Sequence, residues 1–299
     1  MLIDAAGLYF RAFYGVPESV TAPDGRPVNA IRGFLDMSAT LIERRRPGRY
    51  IACLDLDWRP AFRVELIPTY KAHRVAADGA EDVPDTLSPQ VPLLLDVLAA
   101  LGLATAGAEG FEADDVIATI AARESAPVEV VTGDRDLMAL ATDRITILYT
   151  GKGIAKLAAL DADGVREKYG VPAEFYADFA VLRGDPSDGL PGVAGVGEKT
   201  SAALVNRFGA IESILAAAQA GADGFPAGAA GKVLAAADYL AVAPAAVRGR
   251  TDAPVPVIDG TLSVQTHDAE ALTALVSALG IESSVRRIQK AIGAAVSSY

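Results

Sequence analysis

The sequence predicts an α/β fold, a mostly parallel central sheet flanked by helices, followed by a helical second part. Three observations predict it. Short apolar runs alternate with helical patterns through the first half; the first three of those runs each lead into an acid; and beyond about Thr150 the pattern turns to helix punctuated by glycine. Strands in open parallel sheets deliver ligand-binding groups at their carboxyl ends, so acids from distant stretches should converge there.

The elements follow in chain order. Residues 1–3 read as a truncated strand that runs into Asp4, and residues 50–54 as a second that ends at Asp55. Residues 128–132 form a third, followed through Gly133 by Asp134, and residues 145–149 a fourth. Between them, 31–43, 89–101 and 114–123 carry apolar residues at helical spacing. Further on, 163–169, 173–182, 200–208 and 211–219 read as short helices, 220–231 as a Gly- and Ala-rich loop, and 253–257, with two prolines, as a boundary. The ending, 289–299, is amphipathic and carries no functional signal. The strand at the very start suggests that a few residues precede it in the full protein.

Composition narrows the function classes. With 299 residues, 51% of them apolar, the chain can bury a large core or two modest ones, which excludes disorder and fibres. One cysteine, Cys53, forbids an intrachain disulfide and reads as a small buried hydrophobe within an apolar run. There is neither a signal-peptide pattern nor an apolar run of transmembrane length, so a cytoplasmic monomer without membrane contact is expected. The net charge of -11 opposes nucleic-acid binding by bulk charge. That excess lies entirely between Val75 and Asp136, where 13 acids face only Arg123 and Arg135; residues 43–74 hold eight bases against four acids. Net charge here reports a local acid site, and contacts to a polyanion must be sought elsewhere on the surface.

Three acidic clusters stand out. Glu112, Asp114 and Asp115 fall on the first turn of a helix, where the helix dipole alone would favour them. Asp134 and Asp136 follow a strand end, where capping accounts for one acid but not both. Asp185 and Asp188 lie in an Asp-Pro, Asp-Gly stretch that taken alone is an ordinary turn. Together with Asp4 and Asp55 they make nine carboxylates, more than caps and turns supply at strand ends. Oxygen donors without histidine or cysteine select hard cations such as Mg2+ or Mn2+. Two such ions about 3.5–4 Å apart serve phosphoryl transfer, so a phosphate ester is the expected substrate.

Residues 192–200, Gly-Val-Ala-Gly-Val-Gly-Glu-Lys-Thr, do not form a Walker loop, because Glu198 separates the last glycine from Lys199 and no strand precedes them. A tight turn between two helices is the remaining reading, with backbone N–H groups that can grip a phosphodiester.

These motifs, in this order, resemble the bacterial 5′ nucleases, the family of flap endonucleases and of the N-terminal domain of DNA polymerase I. Leu2-Ile3-Asp4, Tyr70-Lys71-Ala72-His73-Arg74, Glu112-Ala113-Asp114-Asp115, Thr132 to Leu137 and the run from Gly184 to Thr200 carry the resemblance. It spans about residues 1–214, and the last run is highly specific. The resemblance implies a PIN-like nuclease core over residues 1–160 with a helical arch at about 60–90. It also implies a helical DNA-binding subdomain over 161–299, with a helix-turn-helix at 184–208. It assigns Asp4, Asp55, Glu112, Asp114 and Asp115 to a first metal site and Asp134, Asp136, Asp185 and Asp188 to a second. Lys71 and Arg74 match arch residues near the scissile phosphate, and Arg63 is expected in the same channel. Gly192, Gly195, Gly197, Lys199 and Thr200 match the turn that holds duplex backbone, often around a K+ ion on backbone carbonyls. The implied activity is two-metal hydrolysis of DNA at single-strand to duplex junctions in replication and repair, as 5′-flap endonuclease and 5′-3′ exonuclease, with Asp134 essential. The substrate is DNA bearing a 5′ flap or 5′ end, RNA-containing flaps among them.

The sequence departs from the family pattern by one residue between the second strand acid and Phe62-Arg63, which leaves Asp57 as a second candidate beside Asp55. Two other readings stand against the nuclease. Leu54-Asp55-Leu56-Asp57 is similar to the strand-end motif of haloacid-dehalogenase-type phosphatases, although Arg59 stands where Thr or Val continues that motif. A non-catalytic branched-DNA-binding module would use the same glycine turn, but such modules usually lose the acids.

Overall fold

A computed structural model describes residues 1–77 and 79–298. Six strands form one sheet in the order β3-β2-β1-β4-β5-β6. They are β1 (Leu2–Asp4), β2 (Ile51–Cys53), β3 (Ala104–Ala106), β4 (Val128–Thr132), β5 (Ile145–Tyr149) and β6 (Ala158–Leu160). All pairs are parallel except β5 with β6. β3 and β6 are not anticipated by the sequence reading, because three-residue strands at a sheet edge are too short to carry a period.

Each face of the sheet has its own core. On one face pack the helices Ala5–Gly15, Asn29–Arg45 and Gln90–Leu101, around Ile3, Phe34, Leu35, Ile42, Val97 and Leu98. On the other lies Ala113–Arg123, whose Val116 and Ile117 join Leu2, Ile51 and Val130 in a core that runs on into the helical part through Tyr176, Phe179 and Leu204. The helix Ala5–Gly15 has no polar stripe to announce it. It starts directly from β1, and Asp4 caps it by accepting from Gly7 N–H at 2.8 Å.

Three further differences from expectation have physical causes. The stretch 173–182 breaks into a short turn, Ala173–Phe175, and the helix Tyr176–Arg183. In the expected arch at 60–90, a span that includes Asp78 outside the described residues, the described residues form the six-residue helix Ala61–Leu66, the short helical turn Ala72–Arg74 and otherwise turns and extended chain up to the start of the helix Gln90–Leu101. Pro60, Pro68, Pro84 and Pro89 interrupt the span and keep longer helices from forming. Finally, the C-terminal part of the 161–299 region returns to the α/β part. Arg123 donates to the carbonyls of Ala253 and Val255, Tyr50 N–H donates to Gly260 O, and the amphipathic face of Glu282–Val296 (Val285, Ile288, Ile292) joins the core around Asn29–Arg45. No single helix among the described residues is long and apolar enough to cross a membrane.

Candidate active site

β2, β1 and β4 lie side by side at the centre of the sheet, so their carboxyl ends bring Asp4, Asp55 and Asp134 to one rim. The start of the helix Ala113–Arg123 adds Glu112 and Asp114, and a cleft of about 310 Å3 is lined by all five, with Lys71, Arg74, Glu81, Phe10 and Trp58. Backbone and hydroxyl donors hold the acids in place. Thr132 Oγ1 donates to Asp4 Oδ2 at 2.9 Å, Ala113 N–H to Asp55 Oδ1 at 2.6 Å, and Asp136 N–H to Asp134 Oδ1 at 2.9 Å.

A loop from the helical part closes the site. Asp185 and Asp188 are both buried in the turn 184–192, where Gly184 and Gly192 pass so close that a Cβ on Gly192 would stand 2.6 Å from Gly184 N. Gly189, at φ +71°, lies directly on the Thr69 carbonyl, and Lys71 N–H donates to Asp188 O at 2.9 Å. The loop and the 69–74 segment are therefore one unit. Gly189→Ala, which adds both a disfavoured φ and a collision with backbone, is expected to cost more than about 1 kcal/mol and to lower flap cleavage together with the thermal midpoint.

The acids repel one another strongly. Burial pushes the Asp114 carboxyl well above its usual range, with Asp134, Asp4 and Glu112 adding to the shift. Burial does the same for Asp136, reinforced by Asp134, Asp188 and Asp185. Asp188 is pushed up to about 6, first by burial, against the opposing pull of Lys71. Asp134 thus acts on two groups of acids, one around Asp114 and one around Asp136. The Asp136 Oδ1 atom is buried without a hydrogen-bond partner. Oxygen-only donors, mutual repulsion and an orphaned carboxylate oxygen all fit divalent cations. Among the described residues no group of three or more acid, histidine or cysteine side chains stands at direct-ligation spacing.

The sign of the pH effect follows. A carboxyl with an ordinary value of 3.8 raised to about 6 on folding holds its proton longer in the folded state, so ionising it removes stability. Without divalent ions the thermal midpoint should fall as pH rises from about 4 through 6. Magnesium should restore it more at pH 7 than at pH 5, a difference that a thermal-shift series would read.

Two site expectations are corrected. Asp115 does not face the cleft: it is fully buried, paired at both oxygens with Arg63 (2.7 and 2.8 Å) and bonded by Arg250 N–H at 2.8 Å. With its lone pairs occupied and no route to solvent, it has nothing to offer a metal. Arg63, 2% exposed, also contacts Glu112 Oε2 at 2.6 Å and donates to Ala246 O, so it cannot reach DNA. Its guanidinium is a buried counter-ion that holds Glu112 and Asp115 apart from each other's charge.

The remaining candidates are placed as follows. Asp57 accepts from Arg59 N–H in its own turn and is absent from the cleft wall, whereas Asp55 lines it. Lys71 Nζ donates to Glu112 Oε1, Tyr70 Oη donates to Glu112 Oε2 at 2.8 Å, and Arg74 reaches Ser187 O at 2.7 Å and Asp188 at 3.3 Å. Gly192, Gly195 and Gly197 form the turn before the helix Glu198–Phe208, with Lys199 exposed and Thr200 half-buried on its first turn. In this turn the Gly195 carbonyl accepts from Lys232 Nζ at 2.8 Å, so an ammonium serves that oxygen. Sequence reasoning missed Glu81, on the cleft wall, and Arg183 and Arg135, at 3.2 and 3.6 Å from Asp185. Only their proximity in the fold marks them out.

A parallel sheet whose central strand ends gather oxygen donors, with lysine and arginine beside them, is the arrangement of a divalent-cation-dependent phosphodiester hydrolase. Residues 1–170 match the family described as 5′-3′ exonuclease, N-terminal resolvase-like domain, and residues 171–270 match 5′-3′ exonuclease, C-terminal SAM fold. The chain belongs to the 5′-3′ exonuclease family. It is 50% identical over 308 residues to a 5′-3′ exonuclease of Mycobacterium tuberculosis, covering 98% of this chain and 97% of that one. It is 51% identical over 295 residues to a 5′-3′ exonuclease of Streptomyces coelicolor, covering 96% and 98%. A DNA polymerase I of Mycobacterium bovis is 42% identical over 219 residues, covering 72% of this chain and 24% of the polymerase. The fold is similar to that of the T5 D15 protein co-crystallized with metal ions (TM-score 0.64, 18% identity, 99% and 98% covered). It is also similar to flap endonuclease-1 from Methanococcus jannaschii (TM-score 0.63, 16% identity, 100% and 93% covered).

Proposed function

We propose that the protein is a structure-specific 5′ nuclease that hydrolyses DNA phosphodiesters at single-strand to duplex junctions, as flap endonuclease and 5′-3′ exonuclease, leaving a 3′-hydroxyl and a 5′-phosphate. The observation that carries this is the convergence of Asp4, Asp55, Glu112, Asp114 and Asp134 in one cleft with Lys71 and Arg74. The family relatives named as exonucleases support it. Its core is PIN-like and spans residues 1–160, with the 60–90 segment over the cleft, and the turn region 184–208 forms the helix-turn-helix of a DNA-binding subdomain.

Asp4, Asp55, Glu112 and Asp114 would hold one divalent cation and Asp136, Asp185 and Asp188 a second, with Asp134 between them. When bound, Mg2+ or Mn2+ supplies a nucleophile at neutral pH and offsets phosphoryl charge. The protein's own groups position and stabilise. Lys71 and Arg74, anchored on Glu112 and Asp188, present positive charge to the phosphoryl oxygens from fixed positions. Lys199 and the N–H groups of the glycine turn hold duplex backbone. Cleavage of a labelled 5′-flap duplex in magnesium or manganese tests the reading. Loss of cleavage in Asp134→Ala is expected, and full activity in that variant would sink it. Flap binding in calcium without cleavage in manganese by the unaltered protein would instead mark a binding module.

A further inference from the structure

Trp58 stands on the wall of the acidic cleft, together with Phe10, Lys71 and Arg74. It is the only tryptophan of the chain and is half-buried. Among the described residues its indole makes no hydrogen bond, ring stack or cation contact, and it belongs to none of the hydrophobic cores. The backbone that carries it is, by contrast, held from both sides. Asp57 N–H donates to Phe111 O, Asp57 Oδ1 accepts from Arg59 N–H, and Arg59 clamps the carbonyls of Tyr70 (2.6 Å) and Pro68 (3.0 Å), next to Lys71. A large aromatic ring kept free on a braced turn, in the same cleft as the phosphate-directed cations, is a surface prepared in advance for a flat partner.

We infer that Trp58 stacks on the nucleobase next to the scissile phosphate. The proposal rests on the nuclease reading above and adds a substrate-binding residue to it. Stacking on an indole needs only a π-face, so it accepts any of the four bases and rejects a nucleotide that has none. The site therefore takes an unpaired nucleotide whose phosphate lies between the acids and Lys71, and it orients that phosphate by gripping its base.

The test uses the full chain and two 5′-flap duplexes that differ only in an abasic residue beside the scissile phosphate. In calcium, where binding is followed by the anisotropy of labelled DNA, the flap with a base should quench tryptophan emission and the abasic flap should not. In magnesium, Trp58→Ala should lose about tenfold in kcat/KM on the intact flap and little on the abasic one. Trp58→Phe, which keeps a ring, should retain most of the activity. Equal losses on both substrates would assign Trp58 a structural role and overturn the proposal, as would unchanged emission on a DNA that anisotropy shows to be bound. Absence of cleavage by the unaltered protein would sink the nuclease reading, while the emission titration would still decide whether the indole meets a base. Absence of any DNA binding would end both.

Discussion

Asp114→Asn is expected to reduce 5′-flap cleavage in magnesium by a factor of about a thousand or more, because it removes an oxygen donor from the centre of the first group of acids. The same change should make the protein more stable without divalent ions. Asp114 is held well above the usual carboxylate range by burial and by Asp134, Asp4 and Glu112, so its charge is a burden on the folded state. An amide of the same shape removes that burden. The expected pair of readings is a higher thermal midpoint without metal, and a midpoint that responds less to added magnesium than that of the unaltered protein. A variant that cleaves at the normal rate, or that melts lower and still responds fully to magnesium, would remove Asp114 from the proposed cation site.

Arg63→Met should act in the opposite way. Arg63 is buried against Glu112 at 2.6 Å and against both oxygens of Asp115, so its loss leaves buried Asp115 without its counter-ion and Glu112 with Lys71 alone. Breaking a buried ion pair from one side costs about 3–5 kcal/mol, a fall of about 10 °C in the thermal midpoint. The loss should be smaller at pH 5 than at pH 8, since Glu112, which burial already pushes above its ordinary range, can then take up a proton. A phosphate-contacting arginine would behave otherwise: its removal would leave the midpoint unchanged and reduce the salt slope of DNA binding by about one. The two roles are separated by melting and by binding at two salt concentrations.

Much of the site is legible before folding is considered. Strands ending at Asp4 and Asp55, and one leading through Gly133 to Asp134, are visible as apolar runs followed by acids, and the parallel topology alone makes them neighbours. The helix that starts at Ala113 carries its period openly, and so does β4. What is not legible is which of two adjacent acids faces the cleft. Asp114 and Asp115 are one residue apart on a helix, about 100° around its axis, and only the packing of Ala61–Leu66 against Ala237–Val247 brings Arg63 to Asp115 and leaves Asp114 free. The same holds for Asp55 and Asp57: Asp55 lines the cleft, whereas Asp57 accepts from Arg59 N–H in the turn that follows.

The C-terminal region shows the converse limit. The sequence reads it only as a continuing helical pattern without individual bounds, and the partners are not legible at all, because an amphipathic face states that something apolar covers it without saying what. Val285, Ile288 and Ile292 find the helix Asn29–Arg45, more than two hundred residues earlier in the chain.

By itself the sequence determined the alternating plan, the oxygen-only donor set and the glycine turn, because each depends on local periodicity or residue chemistry. The tertiary structure alone decided that Arg63 and Asp115 are a buried pair, that Lys232 serves the Gly195 carbonyl, and that Trp58 is left free beside the acids. Those outcomes depend on which groups exclude water from one another, and that is settled only when segments far apart in the chain pack together.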